Sequence, residues 1–425
     1  MSTDTVRPSQ DEVLYGRQTG LGVQNFGTAG RQVADVPAFV RSYARVKAAA
    51  ARANARLGVF DAEIAQAIEA ACDEVVAGLH DAQFPTALVL GGGGTTTNMN
   101  FNEVIASRAS QIAGRSIHPN DDVNASQSTN DTYPTAMALT IRELAAAPLA
   151  ALGKLIGSLE AKGREYEDTV RLGRTCLQDA VTLTVGHTHR SHANALRRCS
   201  GGLEAAVEEL ASVPIGATVL GTGIGAPTGY GDLAVEELRA LTGRDLEPSA
   251  DPFDALAHLD PYAAIASAAA RAAITIAKTA ADFRLLSSGP GGGLAELRLP
   301  TVQAGSSIMP GKVNPAIPEY AMQLSYRIRG NAHTVECAVA AGELELNIME
   351  PVIVDSLITI FEDLTAGAET MATKCVDGLA WDGPKLEHHA QAGFDKWIAM
   401  AAERGYDATV AEVQKARAQE AGAAR

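Results

Sequence analysis

One short stretch of the chain, Gly305–Pro315, concentrates side chains that could do chemistry. Its sequence, GSSIMPGKVNP, combines the hydroxyls of Ser306 and Ser307, the amine of Lys312 and the amide of Asn314 with two glycines and two prolines. Glycine permits unusual backbone angles, and proline fixes φ. A surface turn would carry Gly, Pro and Asn for geometry alone. Adjacent hydroxyls, a cation and N–H donors are also the groups that stabilise a developing anion, so the stretch is typical of a mobile catalytic loop.

Two other polar stretches could contribute to the same chemistry. Gly91–Asn100, GGGGTTTNMN, sets Thr95 after a glycine run that can bring backbone N–H groups close to an anion. It has no Gly-Lys-Ser/Thr ending, which argues against a phosphate-binding loop, and a flexible turn would also explain it. Nearly every side chain of His118–Asp131 can donate or accept a hydrogen bond, which is typical of a solvated loop.

These stretches also carry a family resemblance. The spellings GSSIMPGKVNP, GGGGTTTNMNFNE (91–103) and HPNDDVNASQSTND (118–131) resemble the signature regions of the fumarase/aspartase superfamily. Members remove a proton beside a carboxylate and expel a group from the neighbouring carbon, which releases fumarate without a cofactor. The resemblance covers nearly the whole chain and implies a mainly α, three-domain fold with a central bundle of long helices.

The resemblance also implies roles for individual residues. Ser306 would remove the proton, while Lys312 and Asn314 would hold the carboxylate on which charge develops. Backbone N–H groups of a tight glycine-rich loop and a nearby lysine would stabilise the serine alkoxide. The other residues predicted to bind the substrate are Thr95, Ser128, Thr129, Asn130, Thr175, Cys176 and Ser307, and those predicted to support them are Glu319, His118 and His187. Cys176 and His187 depart from the residues that the family usually carries at these positions.

The residue identities within these motifs favour the aspartate ammonia-lyase branch of the superfamily. Two motifs resemble that branch, namely Ser128-Thr129-Asn130 and LNIMEPVI at 346–353. One pair, Asp121-Asp122, resembles the fumarase motif instead. Cys176 stands where fumarases carry a histidine, whose glutamate partner corresponds to Glu319. Water is a poor leaving group that needs an acid, whereas an ammonium group departs already protonated. The cysteine therefore disfavours hydration chemistry, although a buried free cysteine can also be a small apolar filler.

Three histidines, His187, His189 and His192, follow closely along the chain. A zinc site would need further ligands, and no carboxylate or cysteine stands at ligand spacing close by. We therefore expect no metal. The histidines are interpreted as part of an altered substrate pocket, one that accepts a substrate larger or more polar than aspartate.

Composition limits the partners and the location. The 425 residues carry a net charge of −15, and no basic patch dominates, which argues against a nucleic-acid partner. The five cysteines are widely spaced and the N-terminus has no apolar signal core, two features typical of a cytoplasmic protein. The most apolar long stretch, 262–286, contains three basic residues and is interpreted as a buried helix, not a membrane span.

Helical periodicity predicts the architecture. Two helical pieces are expected within 37–82, and further helices near 135–166, 189–211, 231–243, 257–287, 316–345 and 349–373, with few strands. Three parts are predicted: a mostly helical N-terminal domain (1–130), a central helical bundle with the catalytic loop (131–378) and a small helical C-terminal domain (379–425). By resemblance, three subunits of a homotetramer contribute to each active site.

The expected activity is elimination of ammonia or an amine from aspartate, or from another 2-aminosuccinate-type dicarboxylate, to give fumarate. Two other enzymes fit the same scaffold: a fumarate hydratase, and a lyase acting on another 2-substituted succinate such as nitrosuccinate. A non-catalytic structural protein is a further alternative, and the intact Ser306, Lys312 and Asn314 argue against it.

Overall fold

Helices form most of the structure, a computed structural model that describes residues 13–423. They follow one another as α1 (Arg17–Phe26), α2 (Pro37–Arg56), α3 (Ala62–Val76), α4 (Thr95–Ala113), α5 (Thr129–Leu144), α6 (Ala146–Glu165), α7 (Val185–Glu208), α8 (Tyr230–Thr242), α9 (Pro252–Ala257), α10 (Asp260–Leu286), α11 (Ala316–Ala340), α12 (Glu350–Met371), α13 (Gly383–Ala390), α14 (Asp395–Arg404) and α15 (Tyr406–Ala423). The prediction of a mainly α fold is confirmed.

The described strands are few, as predicted, and they pair two by two. β1 (Val170–Thr175) and β2 (Gln178–Thr184) form an antiparallel hairpin. The other pairs are β3 (Ser212–Val213) parallel to β4 (Glu247–Pro248), and β5 (Leu297–Arg298) antiparallel to β6 (Ala380–Trp381). Two-stranded sheets bury little apolar surface, so the helices supply the core.

The chain divides into two compact units, each built from three segments. Unit 1 comprises Met1–Ala150, Cys199–Ala273 and Tyr326–Thr365, and unit 2 comprises Ala151–Arg198, Ile274–Ser325 and Ala366–Arg425. Every boundary falls inside a long helix, namely α6, α7, α10, α11 or α12. The division into three sequential domains stays a prediction.

Unit 1 is organised around α2, which packs against α3, α5 and α8. Its Ala48–Ala51 run is buried, and such small side chains allow neighbouring helices to approach closely. Tyr43 of α2 stacks on Phe101 of α4 with ring centroids 4.4 Å apart, and it meets Tyr133 of α5 edge-on. These aromatic contacts fix α4 and α5, which carry several predicted site residues, against α2.

The helix predicted over 135–166 begins earlier and is divided. α5 begins at Thr129, where Ser128 Oγ accepts the N–H of Asn130 and the Asp131 carboxylate accepts the N–H of Ser128. This is a capping box, a signal already present in the sequence. Thr129–Glu165 is the one described stretch long and apolar enough to cross a membrane by length and composition, a property that core helices of water-soluble proteins share.

Candidate active site

Two hydrogen bonds close the base of the 305–315 loop. The N–H of Gly305 donates to the carbonyl of Lys312 at 2.9 Å, and Asn314 Nδ2 donates to the carbonyl of Gly305 at 2.7 Å. A Cβ at position 305 would lie 2.4 Å from the Lys312 carbonyl oxygen, so only glycine fits this close approach. The Asn314 amide has two protons, so one shapes the loop and the other is left for a ligand.

Two backbone N–H groups point at the predicted base. Ser306 Oγ accepts the N–H of Met309 at 3.0 Å and the N–H of Ile308 at 3.2 Å. Donors aimed at an oxygen stabilise its anion relative to its neutral form, which favours Ser306 as a base. The same bonds also occur in ordinary serine turns, so the role of Ser306 stays a prediction. Ser307, beside it, is exposed.

A cavity of about 760 Å³ in unit 2 is lined by the C-terminal half of this loop. Lys312 and Asn314 line it together with Arg298, Lys385 and Asp382. The three cations and one carboxylate give the cavity a positive balance, although the whole chain carries −15. A local field of this sign suits an anionic ligand.

Thr175 and Cys176 lie at the tip of the β1–β2 hairpin. Thr175 pairs with Gln178, so Cys176 and Leu177 form a two-residue turn. Their φ angles of 53° and 58° are left-handed, the φ pattern of a type I′ turn, which ordinarily takes Asn-Gly. The Cys176 thiol is exposed, which contradicts its interpretation as a buried apolar filler.

Glu319 and His187 each have a local partner in unit 2. Glu319 Oε1 accepts a hydrogen bond from Nε of Arg284 at 3.3 Å. A guanidinium does not give up its proton, so the glutamate is paired with a permanent cation instead of an imidazole. His187 Nδ1 lies 2.9 Å from Thr184 Oγ1 at the start of α7.

The predicted substrate ligands of unit 1 lie at two helix N-termini that touch. Thr95 begins α4, and Ser128–Asn130 begin α5. A Cβ at Gly94 would lie 2.2 Å from the Tyr133 ring, so the first turns of the two helices are in contact. Positive helix ends of this kind bind carboxylates readily, and the structure thus brings these four residues to one region.

The predicted ligands also have partners within the chain. Thr95 Oγ1 donates to the carbonyl of Gly92 at 2.9 Å, and Asn130 Nδ2 donates to the carbonyl of Val219 at 2.9 Å. The Thr129 side chain is mostly buried. A ligand would therefore meet groups that are already held in place.

A third helix N-terminus reaches the same region. A Cβ at Gly93 would lie 3.3 Å from Ile348, just before α12 begins at Glu350. Glu350 is buried, and burial raises the pKa of its carboxyl well above the ordinary value. Burial thus disfavours the charged form of Glu350 beside the three helix ends.

Two buried charged residues that were not predicted as site residues hold these loops. Asp131 Oδ2 accepts the N–H groups of Gly216 at 3.1 Å and Thr218 at 2.8 Å, which fixes the 216–218 turn beside the start of α5. Lys47 Nζ donates to Asn124 Oδ1 and Gln127 Oε1, both at 3.0 Å. Burial lowers the pKa of Lys47 to about 7. A lone lysine in an alanine-rich helix was the available signal.

His118 shapes the loop in which it lies. Its Nδ1 accepts the N–H of Asp121 at 3.1 Å and that of Asn120 at 3.3 Å, and the ring is 55% exposed. Such bonds cap the short helical turn Pro119–Val123. Its predicted support of the substrate ligands stays a prediction.

His189 and His192 are core residues of unit 2. Trp381 Nε1 donates to His189 Nε2 at 3.0 Å, and Thr279 Oγ1 lies 3.1 Å from His192 Nδ1. Burial lowers the pKa of His189 to about 3 and that of His192 to about 4. Within residues 13–423 no three His, Cys, Asp or Glu side chains are grouped as a metal ion would require. Of the three histidines expected in an altered substrate pocket, only His187 is exposed, and the other two lie in the core.

Comparisons with known proteins agree with the predicted superfamily. A family model described as Lyase matches residues 9–330. The chain is 40% identical over 375 residues to the aspartate ammonia-lyase of Helicobacter pylori, across 87% of this chain and 80% of that protein. It is 38% identical over 412 residues to the class II fumarate hydratase of Thermosynechococcus vestitus, across 95% of this chain and 88% of that protein.

A solved structure confirms the fold. The fumarate lyase:delta crystallin from Brucella melitensis matches with a TM-score of 0.93 and 40% identity, across 96% of this chain and 90% of that chain. Fold, family match and sequence identity agree over most of the chain. The protein belongs to the fumarase/aspartase superfamily of lyases.

Proposed function

We propose that this chain is a carbon–nitrogen lyase that eliminates ammonia or an amine from aspartate, or from another 2-aminosuccinate-type dicarboxylate, to give fumarate. Similar proteins include an aspartate ammonia-lyase and a fumarate hydratase, so similarity alone does not choose the leaving group. The choice rests on the side chains that could protonate it.

One observation carries the proposal: Glu319 is paired with the guanidinium of Arg284, at 3.3 Å. The residue after Thr175 is Cys176, so the imidazole that would complete an acid relay with this glutamate is replaced by a thiol. An arginine cannot deliver a proton at neutral pH. Hydroxide is a poor leaving group without an acid, whereas an amine leaves as an already protonated group. This pair therefore favours C–N over C–O cleavage.

The proposed reaction proceeds through an aci-carboxylate. Ser306, as an alkoxide stabilised by the N–H groups of Ile308 and Met309, removes the proton beside one carboxylate. The electron pair moves into that carboxylate, where Lys312 and Asn314 stabilise the developing charge. Collapse of the intermediate forms the carbon–carbon double bond and expels the amine. The N-termini of α4 and α5, with Thr95, Ser128, Thr129 and Asn130, hold the substrate.

A homotetramer with sites shared by three subunits is part of the proposal. Large apolar side chains of α10 and α11 are exposed in the single chain, at 50% for Ile274, 42% for Leu285 and 41% for Tyr320. Apolar side chains left exposed on long helices are typical of surfaces that another chain covers. The family resemblance indicates which chain that is, namely further copies of this one.

The test is ultraviolet detection of fumarate with aspartate, malate or nitrosuccinate supplied separately. Fumarate from aspartate and not from malate supports the proposal. Fumarate from malate alone makes the protein a hydratase, and fumarate from nitrosuccinate alone makes it a lyase with another leaving group. Release from none of the three, by a folded and assembled protein, would leave a non-catalytic role or a different 2-substituted succinate as the substrate.

A further inference from the structure

A fully buried carboxylate, Glu296, holds three side chains from two other parts of unit 2. Its Oε1 accepts from Arg174 Nη2 at 2.6 Å and lies 2.7 Å from His389 Nδ1, while its Oε2 lies 3.5 Å from Arg171 Nη2. Glu296 itself is 0% exposed. A buried charge is stable only when it is paired and hydrogen-bonded, and this one has all its partners on the hairpin and on α13.

The hairpin is shaped so that both arginines reach this carboxylate. Residues three apart on a regular strand point to opposite faces, yet Arg171 and Arg174 both contact Glu296. The pairing of β1 with β2 shifts register between Leu172 and Arg174. Such irregularities increase the local twist and re-aim side chains. Gly173 lies at the shift, where a Cβ would be 2.6 Å from the carbonyl oxygen of Val181.

Arg174 directly precedes Thr175 and Cys176, two of the residues predicted to bind the substrate. Thr175 ends β1, and the next two residues, Cys176 and Leu177, have left-handed φ angles without being glycine. Such a conformation is strained for a residue other than glycine and persists only where the surroundings fix it. The Arg174–Glu296 contact is the buried anchor closest in sequence to this turn.

The residues on either side of Glu296, Ala295 and Leu297, line the candidate substrate cavity. Glu296 is followed at once by β5, and both residues of β5, Leu297 and Arg298, line the cavity with Lys312. The main chain of Glu296 is fixed as well, because its carbonyl accepts the N–H of Asp382 at 2.9 Å. One residue thus links the hairpin tip to the cavity wall.

We infer that Glu296 is a positioning residue: through Arg174 it holds the Thr175–Cys176 turn in the orientation that the substrate requires. The inference rests on the proposed function together with the predicted contact of Thr175 with the substrate. Glu296 itself touches no substrate in this arrangement, so its effect must pass through the turn.

The kinetic test is a double-mutant cycle between Glu296→Gln and Thr175→Val. Glutamine keeps the size of the side chain and removes its charge. We expect kcat/KM to fall roughly 10–100-fold in the single Glu296→Gln variant, the range for a misplaced reacting group. In the Thr175→Val background the same change should cost less than about threefold, because the coupling is lost. Full additivity in the cycle would overturn the action of Glu296 through Thr175.

The matched control is Glu74→Gln in unit 1. Glu74, like Glu296, is a glutamate paired with arginine and histidine, here with Arg108 and His80. It lies on α3, which carries none of the predicted site residues. Glu74→Gln should destabilise the protein somewhat and leave kcat/KM within about twofold of the wild type, since surface ion pairs contribute little.

An activity-independent readout uses the thiol at the tip. In a Cys337→Ser background, Cys176 is the one exposed cysteine among the described residues, since Cys72, Cys199 and Cys375 are buried. Alkylation of Cys176 by iodoacetamide, followed by mass spectrometry, should change in rate more than about threefold in Glu296→Gln and not in Glu74→Gln, because reactivity follows exposure and local charge.

If Glu296→Gln fails to fold, Arg174→Lys tests the same positioning role. Lysine keeps the positive charge and lacks the planar guanidinium group that pairs with Glu296. We therefore expect the same change in the alkylation rate of Cys176. An alkylation rate equal to that of the wild type in the folded variant would overturn the positioning role. If the wild type releases fumarate from malate or nitrosuccinate and not from aspartate, the proposed function fails while the alkylation experiment still decides the inference.

Discussion

At the scale of single residues, Ser306 has the most direct predicted consequence. Ser306→Ala should lower kcat by several orders of magnitude with little change in KM, because a base acts mainly in the transition state. Ser158→Ala on α6 is the control and should be neutral. Steady-state release of fumarate measures both. Activity of Ser306→Ala within about tenfold of the wild type would exclude Ser306 as the base.

Cys176 decides the leaving group at the same scale. If an amine departs, no acid is needed at this position, and Cys176→Ser should change kcat less than about threefold. If the thiol is a proton donor, the loss should reach about 10²–10⁴-fold. Cys176→His should gain only slight malate dehydration, because Arg284 remains bound to Glu319. A large gain in hydration rate would show instead that the protein is a fumarase that lost one residue.

Sequence motifs identified the site residues that lie together in one continuous loop. Residues that act through contacts with positions distant in sequence were not predicted. Ser306, Lys312 and Asn314 lie within eleven residues, and the structure places them on one loop. Glu296 meets Arg174 and His389 across 122 and 93 positions of sequence. No local pattern marks such a contact, because it depends on how the helices and the hairpin return to each other.

At the scale of elements, long helices were predictable and the hairpin was not. Apolar periodicity over many residues located α8, α10, α11 and α12 within a few residues of their ends. The β1–β2 hairpin went unpredicted because its turn is Cys-Leu instead of Asn-Gly, so the strongest short-range hairpin signal is missing. The turn conformation is imposed by the tertiary contacts around it.

The hairpin irregularity yields an element-scale prediction. Gly173→Ala would place a Cβ 2.6 Å from a backbone oxygen that cannot move freely, so we expect a loss of roughly 1–3 kcal/mol in the free energy of unfolding. Gly157→Ala on α6 is the control. Nothing lies within 4 Å of a Cβ there, and alanine should stabilise the helix by about 0.4–1 kcal/mol. Chemical denaturation measures both, and equal stabilities would contradict the prediction.

At the scale of the whole molecule, two buried histidines make stability depend on pH. Burial lowers the pKa of His189 to about 3 and that of His192 to about 4 from an ordinary value of 6.5. Below pH 6.5 the unfolded chain therefore binds more protons than the folded chain, so the free energy of unfolding should fall as the pH drops from 6.5 towards 4.

The measurement is chemical denaturation of the wild type and of a His189→Gln/His192→Gln variant between pH 4 and 7. The variant should show a smaller decrease in the free energy of unfolding on acidification, whatever its absolute stability. His258→Gln, at an exposed position, should keep the slope of the wild type. Equal slopes in all three proteins would contradict the linkage to the buried pair.

Assembly is the other property of the whole molecule. Light scattering should give four times the chain mass of 44.2 kDa. Ile274→Asp would place a charge on an exposed apolar position of α10, and we expect it to dissociate the tetramer and lower activity in parallel, because a desolvated unpaired charge is unfavourable in an interface. A monomer with full activity would contradict a site shared between subunits.

Unit 1 is built from segments that are far apart in sequence, and this has a consequence for synthesis. Unit 1 begins with the residues up to Ala150 and is completed only by Tyr326–Thr365. A ribosome adding about 5–20 residues per second needs roughly 10–40 s to reach the last segment after the first has emerged. Throughout that interval the nascent chain lacks Ile348 to cover the glycine-rich start of α4. We therefore expect unit 1 to stay incomplete for longer during synthesis than a domain made of one continuous segment, and its yield in a cell to respond to translation speed.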